Sequence, residues 1–533
     1  MTPKLNYKKT VFVGFAFFLI MVFWQTYDTL IPKILTDKFG LSQTVSGIVM
    51  ALDNVLALFL LPFFGTLSDK CKSKMGRRTP FILIGTIIAA ILFVGLSVTD
   101  NMQLTKLDAV RDYENRETLE FLYDYDYKVK GSGEDAYQII TPDGERIILK
   151  DAISREDFTS ITLQTPKTDK RTGEIIYDSK TGEPKLTTNP LYTKYVTPAR
   201  QAYAAQATAE SPVTLIFFMA LLLGVLVSMA VFRSPAVALM PDVTVKPLRS
   251  KGNAVINLMG TFGGILVLGL GIVFGTGNIR NDLMSYIPFF TTVAVIMLVA
   301  LAIFMWKVKE RKLVAEREEE EKLLGISDVD DTVEEEKLPK HKLSRGELMS
   351  LILILASVAF WYMGYNAVSS KYSVYAGSEL KLDYNMTLLV AQAAAIISYL
   401  PAGIVASRIG RKKTIIAGVT LLLGAFIGAI FVTAQSSMML VNLLFAVAGI
   451  GWATINVNSF PMVVELSGSG NVGKYTGYYY TASMAAQTLT PVLSGVFMDN
   501  LGLRSLFPYA AVFVALSLIT MLFVRHGDSK KSA

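Results

Sequence analysis

The chain has 533 residues, 52% of them hydrophobic, a mean hydropathy of +0.43 and a formal net charge of +7. So apolar a composition excludes a string of ordinary soluble domains and identifies a polytopic membrane protein. A single cysteine, Cys71, excludes an intrachain disulfide framework and a cysteine-based metal site, and the two histidines, His341 and His526, fall in polar segments near span ends, so no metal centre is expected.

A helix needs roughly 20 apolar residues to cross about 30 Å of hydrocarbon. Twelve such stretches are predicted, near 11–33, 44–66, 79–98, 212–240, 252–275, 286–307, 348–367, 387–407, 413–433, 438–462, 475–498 and 505–524. The basic opening "MTPKLNYKKT" leads into a long apolar run with no A-x-A-like site, which predicts a retained first helix. Lysine and arginine concentrate in alternate loops: "SDKCKSKMGRRTP", "TVKPLRSKGN", "KVKERK", "SRIGRKK" and the tail "RHGDSKKSA". Cytoplasmic loops carry that excess, so both termini are expected in the cytoplasm of a cell-membrane protein. The net charge then reflects topology and contact with anionic lipid of the bilayer, and no nucleic-acid partner is expected.

Two polar blocks interrupt the spans. Between the third and fourth lies an insert, 100–211, placed outside the cytoplasm by the loop count. Its segments "AYQIITPDGERIILKD" and "GEIIYDSKTGEPKLTT" alternate apolar and polar residues around turn signals, which predicts a small β-rich domain. The second block, 309–347, is dense in charge and reads as a partly helical cytoplasmic linker. The expected organisation is 1–99 with spans one to three, the insert, 212–308 with spans four to six, the linker, 348–525 with spans seven to twelve, and a tail, 526–533.

The two sets of six spans echo each other. "FWQTYDTLIPK" from Phe23 is answered by "FWYMGYNAVSSK" from Phe360, and "GTLSDKCKSKMGRR" from Gly65 by "GIVASRIGRKK" from Gly403. Duplicated halves that bind substrate near the bilayer midplane and rock against each other are a transporter architecture. The loop "GTLSDKCKSKMGRRTPFILIG" resembles that of the major facilitator superfamily, and within it the sucrose transporters and related glycoside-pentoside-hexuronide cation symporters. "SPAVALMPD", ending at Asp242, resembles their fourth-span exit. The resemblance implies an all-α, twelve-helix fold of two six-helix halves, to which the β-rich insert would be an addition, and a monomer. Departures are Thr79 where the family has a third arginine, Ser407 where the first-half loop has Asp69, and Leu226 where the plant sucrose transporters place a carboxylate used in proton-coupled sugar binding.

Gly65 allows close helix approach, and Asp69 is placed to accept hydrogen bonds from a neighbouring helix amino end. Arg77 or Arg78 is expected to pair with Asp242, and Arg408 or Arg411 with Glu465, as a cytoplasmic gate that breaks in one state. The alternative is that these charges only flank helices and fix topology.

Within the first span, Asp28 follows Trp24 and Gln25 by four and three residues, so the three share a helix face, with Tyr27 beside them. An intramembrane carboxylate costs about 2.5–3.5 kcal/mol on insertion scales and calls for a cavity or a partner. The group resembles a sugar subsite, with an aromatic plate and hydroxyl-binding polar groups. Asp53, next to Asn54, is a second candidate, and a carboxylate held away from water is a natural proton carrier. The plainer alternative sets Asp28 at a solvated helix end near Lys33. From the other half, Trp361, Tyr365, Asn366, Gln392, Asn456, Asn458 and Gln487 add polar or amphipathic groups suited to a neutral, hydroxyl-rich cargo, or to interhelical hydrogen bonding.

The leading expectation is a secondary active transporter, a proton symporter of a di- or oligosaccharide or glycoside, without a cofactor and not an enzyme. No phosphate-cradling loop suggests direct ATP drive, and no nucleophile–base arrangement is visible. Two alternatives stay open: a sodium-coupled carrier of another amphipathic solute, and a non-transporting sensor that reads a ligand through the insert.

Overall fold

A computed structural model describes residues 5–112, 114–168, 172, 174–177, 181–245, 248–323, 344–465 and 472–526. Helices dominate. The first half contains α1 (Tyr7–Lys33), α2 (Gln43–Asp69) and α3 (Thr79–Thr105). After the insert, with α4 (Arg116–Asp124) and α5 (Thr197–Glu210), it continues as α6 (Val213–Asp242), α7 (Arg249–Phe274) and α8 (Ile287–Lys307). Next come the linker helix α9 (Glu310–Leu323) and the second half: α10 (Arg345–Tyr375), α11 (Tyr384–Ile409), α12 (Arg411–Ile430), α13 (Met438–Glu465), α14 (Val472–Leu501) and α15 (Leu506–Phe523).

Among the described residues, 10 helices are long and apolar enough to cross a membrane. Helices α11 and α14 occupy the remaining two predicted positions. Local signals explain many boundaries. Ser42 caps α2 by accepting from the Val45 amide at 3.2 Å, Ser344 and Glu347 form a reciprocal capping box on α10, and Gly275 ends α7 at φ 68°, where a glycine meets no steric penalty. The opening helix of each half runs on into one wide turn, Ile34–Lys38 after α1 and Ala376–Leu380 after α10.

Each half has its own buried apolar core, one built from residues such as Phe23, Phe93, Phe232 and Phe290, the other from Trp361, Tyr372, Leu422 and Phe507. The halves meet where α1 packs on α10, α2 on α14 and α7 on α11. Several polar ties join them on the face that carries the insert. Asp499 of α14 accepts from the amides of Gln43 and Thr44 at 2.8 and 2.7 Å, and Lys371 of α10 donates to the Gln43 carbonyl at 2.6 Å. Tyr384 and Asn385 of α11 both reach the Thr276 hydroxyl, at 2.9 and 3.1 Å. The halves are thus drawn together on the insert face.

The insert departs from the β-rich expectation. Its sheets are two minimal hairpins, β1 (Ile139–Ile140) with β2 (Arg146–Ile147) and β3 (Gln164–Pro166) with β4 (Leu186–Thr188). Strands this short are marginal alone and need a core to rest on. That core is largely helical: Leu119, Leu122 and Tyr123 line one face of α4 at helical spacing and pack with Tyr127, Phe158, Tyr192 and Ala199. The insert also starts later than predicted, because α3 runs on to Thr105. Asp100, on that extra turn, pairs with Lys38 at 2.7 Å with both side chains fully buried, and Lys38 also donates to the Met284 carbonyl and lies over the Tyr286 ring.

Candidate functional site

Tyr27 is buried in α1 while Asp28 and Trp24 are only half-buried. Asp53 and Asn54 of α2 are half-buried as well, and the Asn54 amide donates to the Asp53 carboxylate at 2.9 Å. The group that unites the two acids lies on α6. Arg233 is within electrostatic reach of both Asp28 and Asp53, and its guanidinium sits over the Trp24 ring, 5.2 Å from the centroid. The two carboxylates thus share one arginine. The plainer placing of Asp28, a solvated end beside Lys33, does not describe this arrangement: Lys33 instead pairs with Asp282 at 2.8 Å and Asp37 at 3.4 Å.

The second half supplies the opposing wall. Tyr365 of α10 is within electrostatic reach of Asp28 and stacks flat on Trp452 of α13, with centroids 3.6 Å apart and planes within 3°. Tyr362 meets the same indole edge-on at 5.3 Å. Gln25 and Gln392 hydrogen-bond across the halves, with Gly264 of α7 leaving room beside the pair. Four polar atoms here are buried without a hydrogen-bond partner: Trp24 Nε1, Tyr27 Oη, Asn366 Nδ2 and Gln392 Oε1. Buried polar atoms ordinarily find partners, so unsatisfied ones on α1, α10 and α11 suit a ligand rich in donors and acceptors.

Other predicted site residues fall elsewhere. Trp361 is fully buried in the second-half core, because one extra residue separates Phe-Trp from Tyr-Asn there and turns the indole by about 100° relative to Trp24. Asn458 is buried and donates to the Thr454 carbonyl at 2.8 Å within its own helix. Asn456 and Gln487 are half-buried on α13 and α14. Leu226 is a buried core residue of α6, so no carboxylate stands at that level of the helix.

On the linker face, Arg77 and Arg78 converge on Asp242 at 2.7 and 2.8 Å. Arg78 also pairs with Asp69, donates to the Ser68 hydroxyl and approaches the Gly65 carbonyl at 3.4 Å. These partners all belong to the first half, so the cluster fastens α2, α3 and α6 to one another rather than one half to the other. The linker adds Glu310 of α9, whose carboxylate accepts from the amides of Arg77, Arg78 and Thr79 at 2.8, 3.0 and 2.8 Å. It thereby covers the unpaired N–H groups and positive dipole end of α3. Arg408 is exposed and Arg411 half-buried, and the Glu465 side chain lies outside the described residues.

Arg233, Trp452, Tyr362 and Glu310 were not singled out from the sequence. Arg233 had a usable signal, a charge inside the apolar run "LLLGVLVSMAVFRSPAVALMPD", and such a charge is expensive unless it is paired.

Two helical halves that close around an intramembrane cluster of charge, amide and aromatic groups define a polytopic membrane carrier. The sequence pattern described as Major Facilitator Superfamily matches residues 202–484 and 384–533, and that described as MFS/sugar transport protein matches 12–110. The chain belongs to the major facilitator superfamily. It is 41% identical over 63 residues to the sucrose transport protein SUC3 of Arabidopsis thaliana, covering 11% of each chain. It is 31% identical over 99 residues to the human (Homo sapiens) proton-associated sugar transporter A, covering 19% of this chain and 13% of that one. The aligned stretches thus span only a small part of these relatives. The fold matches the inward-open xylose transporter XylE of E. coli at a TM-score of 0.54 and 14% identity, covering 99% of this chain and 98% of the other.

Proposed function

We propose that this protein is a proton-coupled symporter of a sugar, a di- or oligosaccharide or a glycoside, that works by alternating access. The observation that carries the reading is the pair of acids, Asp28 and Asp53, sharing one arginine, Arg233, opposite the Tyr365–Trp452 stack. The stacked rings offer an apolar plate to a sugar face, and Gln25, Gln392 and Asn366 offer partners to its hydroxyls. The unbalanced carboxylate takes the proton, which makes sugar binding and protonation interdependent. Names among the partial relatives support the cargo and the ion: a sucrose transporter and a proton-associated sugar transporter.

In this reading α11 and α14 cross the membrane with the other ten helices, giving twelve spans. The termini and linker are cytoplasmic and the insert lies outside, as the lysine- and arginine-rich loops imply. The ties on the insert face then hold the carrier closed to the outside, and the linker-face cluster of Asp69, Arg77, Arg78, Asp242 and Glu310 holds the first half rigid as it rocks. The chain acts as a monomer in the bilayer. Radiolabelled sugar uptake into proteoliposomes under an imposed pH gradient tests the reading: uptake driven by an inward proton gradient supports it, and uptake indifferent to protons opposes it.

A further inference from the structure

A cavity of about 200 Å³ lies on the insert face between the insert and both halves. Its lining includes Gln43 of α2, Tyr137, Gln138 and Gln201 of the insert, Ser378 after α10 and Asp499 of α14. The Gln43 side chain is the telling group. Only 8% of the residue is exposed, and Oε1 is buried with no hydrogen-bond partner, although the residue's amide and carbonyl are held by Asp499 and Lys371. Thr197 Oγ1, also in the lining, is buried and unpartnered. The Gln201 amide spends Nε2 on Asp37 at 3.1 Å, and Gln138 is fixed by the Tyr127 carbonyl and the Leu149 amide at 3.2 and 3.3 Å.

Buried amide and hydroxyl groups without partners are costly unless a ligand meets them. A cavity of about 150 Å³ takes up a benzene-sized ring, so this one has room for a single pyranose. The Gln43 and Gln201 side chains, the Thr197 hydroxyl and Tyr137, with the charged Lys130 and Asp499 also in the lining, suit the hydroxylated surface of a sugar better than an apolar solute. We propose that this cavity is a second carbohydrate site, distinct from the Asp28–Asp53 cluster, which takes one sugar ring between the insert and the two halves. The inference rests on the sugar-transport reading. Because all three bodies contribute to the lining, the site is complete only when the insert face is closed, and a sugar bound there favours that state.

Equilibrium dialysis of the purified full-length protein against radiolabelled sucrose, maltose, lactose and xylose tests it. The expected result is two sugars bound per wild-type chain with at least one of these probes, and one in each of Tyr137→Ala, Gln201→Leu and Asp28→Asn. Two insert variants are used so that a folding defect in one does not decide the matter. A single wild-type site, lost in Asp28→Asn and unchanged in both insert variants, overturns this inference and leaves the transport reading standing. Two sites that persist in both insert variants also overturn it. If no probe binds at any site, the transport reading falls and the second site with it.

Discussion

Arg233 sets the charge balance of the Asp28–Asp53 cluster. Replacing it by glutamine leaves Asp28 and Asp53 facing each other without a counter-charge and removes the cation over Trp24. Uptake by Arg233→Gln is expected to fall at least about tenfold, equivalent to roughly 1.4 kcal/mol, in proteoliposomes matched for protein content. The buried Lys38–Asp100 pair is structural by contrast. Lys38→Met strands a buried carboxylate and should cost about 3–5 kcal/mol, whereas Lys38→Met with Asp100→Leu should recover most of that loss. Thermal unfolding in detergent reads the difference. Lys381, just past the α10 extension, titrates in a useful range: burial pushes its ammonium down to about 7, with Glu379 pulling it back. Between that value and the ordinary lysine range the folded state binds fewer protons than the unfolded one, so stability rises with pH across the window from about 7 to about 10. Lys381→Met should flatten that slope in melting curves recorded across the same window.

Among the elements, α2 depends on its neighbour in the other half. Its first amides are covered by the Asp499 carboxylate, a cap that crosses the interface between halves and must break when the insert face opens. Asp499→Asn keeps the shape and removes the charge. A loss of about 1 kcal/mol, typical of a cap, should shift the balance toward an open insert face roughly fivefold, read as distances between spin labels on α2 and α14. Much of this level was legible in the chain itself. The helices follow from apolar runs bounded by Ser42, Ser344 and Gly275, and the pairing of Arg77 and Arg78 with Asp242 follows from the basic loop and the α6 exit. The insert was read less well, since the alternation around Pro142–Asp143–Gly144 is real but short, while the helical spacing of Leu119, Leu122 and Tyr123 governs its core. Trp361 faces the core, and the extra residue of FWYMGYN relative to FWQTYD, which rotates that helix face, is legible in the chain. Trp452 and Tyr365 meet only through the packing of α13 on α10, a tertiary fact outside the reach of any sequence window.

At the scale of the molecule, three bodies share one interface. Each half has its own core and the insert has another, while the surfaces between them carry polar groups: the Gln25–Gln392 pair beside Gly264, and Asp499, Lys371 and Thr276 at the insert face. Rigid cores joined by a few exchangeable hydrogen bonds are what a rocking carrier needs. The Pro142 carbonyl of the insert accepts from the Leu503 amide between α14 and α15 at 2.9 Å, so the insert moves with, or releases, the second half. In the proposed mechanism Asp28 and Asp53 couple a proton to a sugar. Its most direct test is simultaneous recording of external pH and radiolabelled disaccharide uptake in proteoliposomes containing wild type, Asp28→Asn or Asp53→Asn, with and without sodium. Sugar-dependent alkalinisation is expected outside the wild-type vesicles, independent of sodium and abolished by at least one of the two substitutions. Sugar uptake with no proton movement, or proton movement that survives both substitutions, would contradict it.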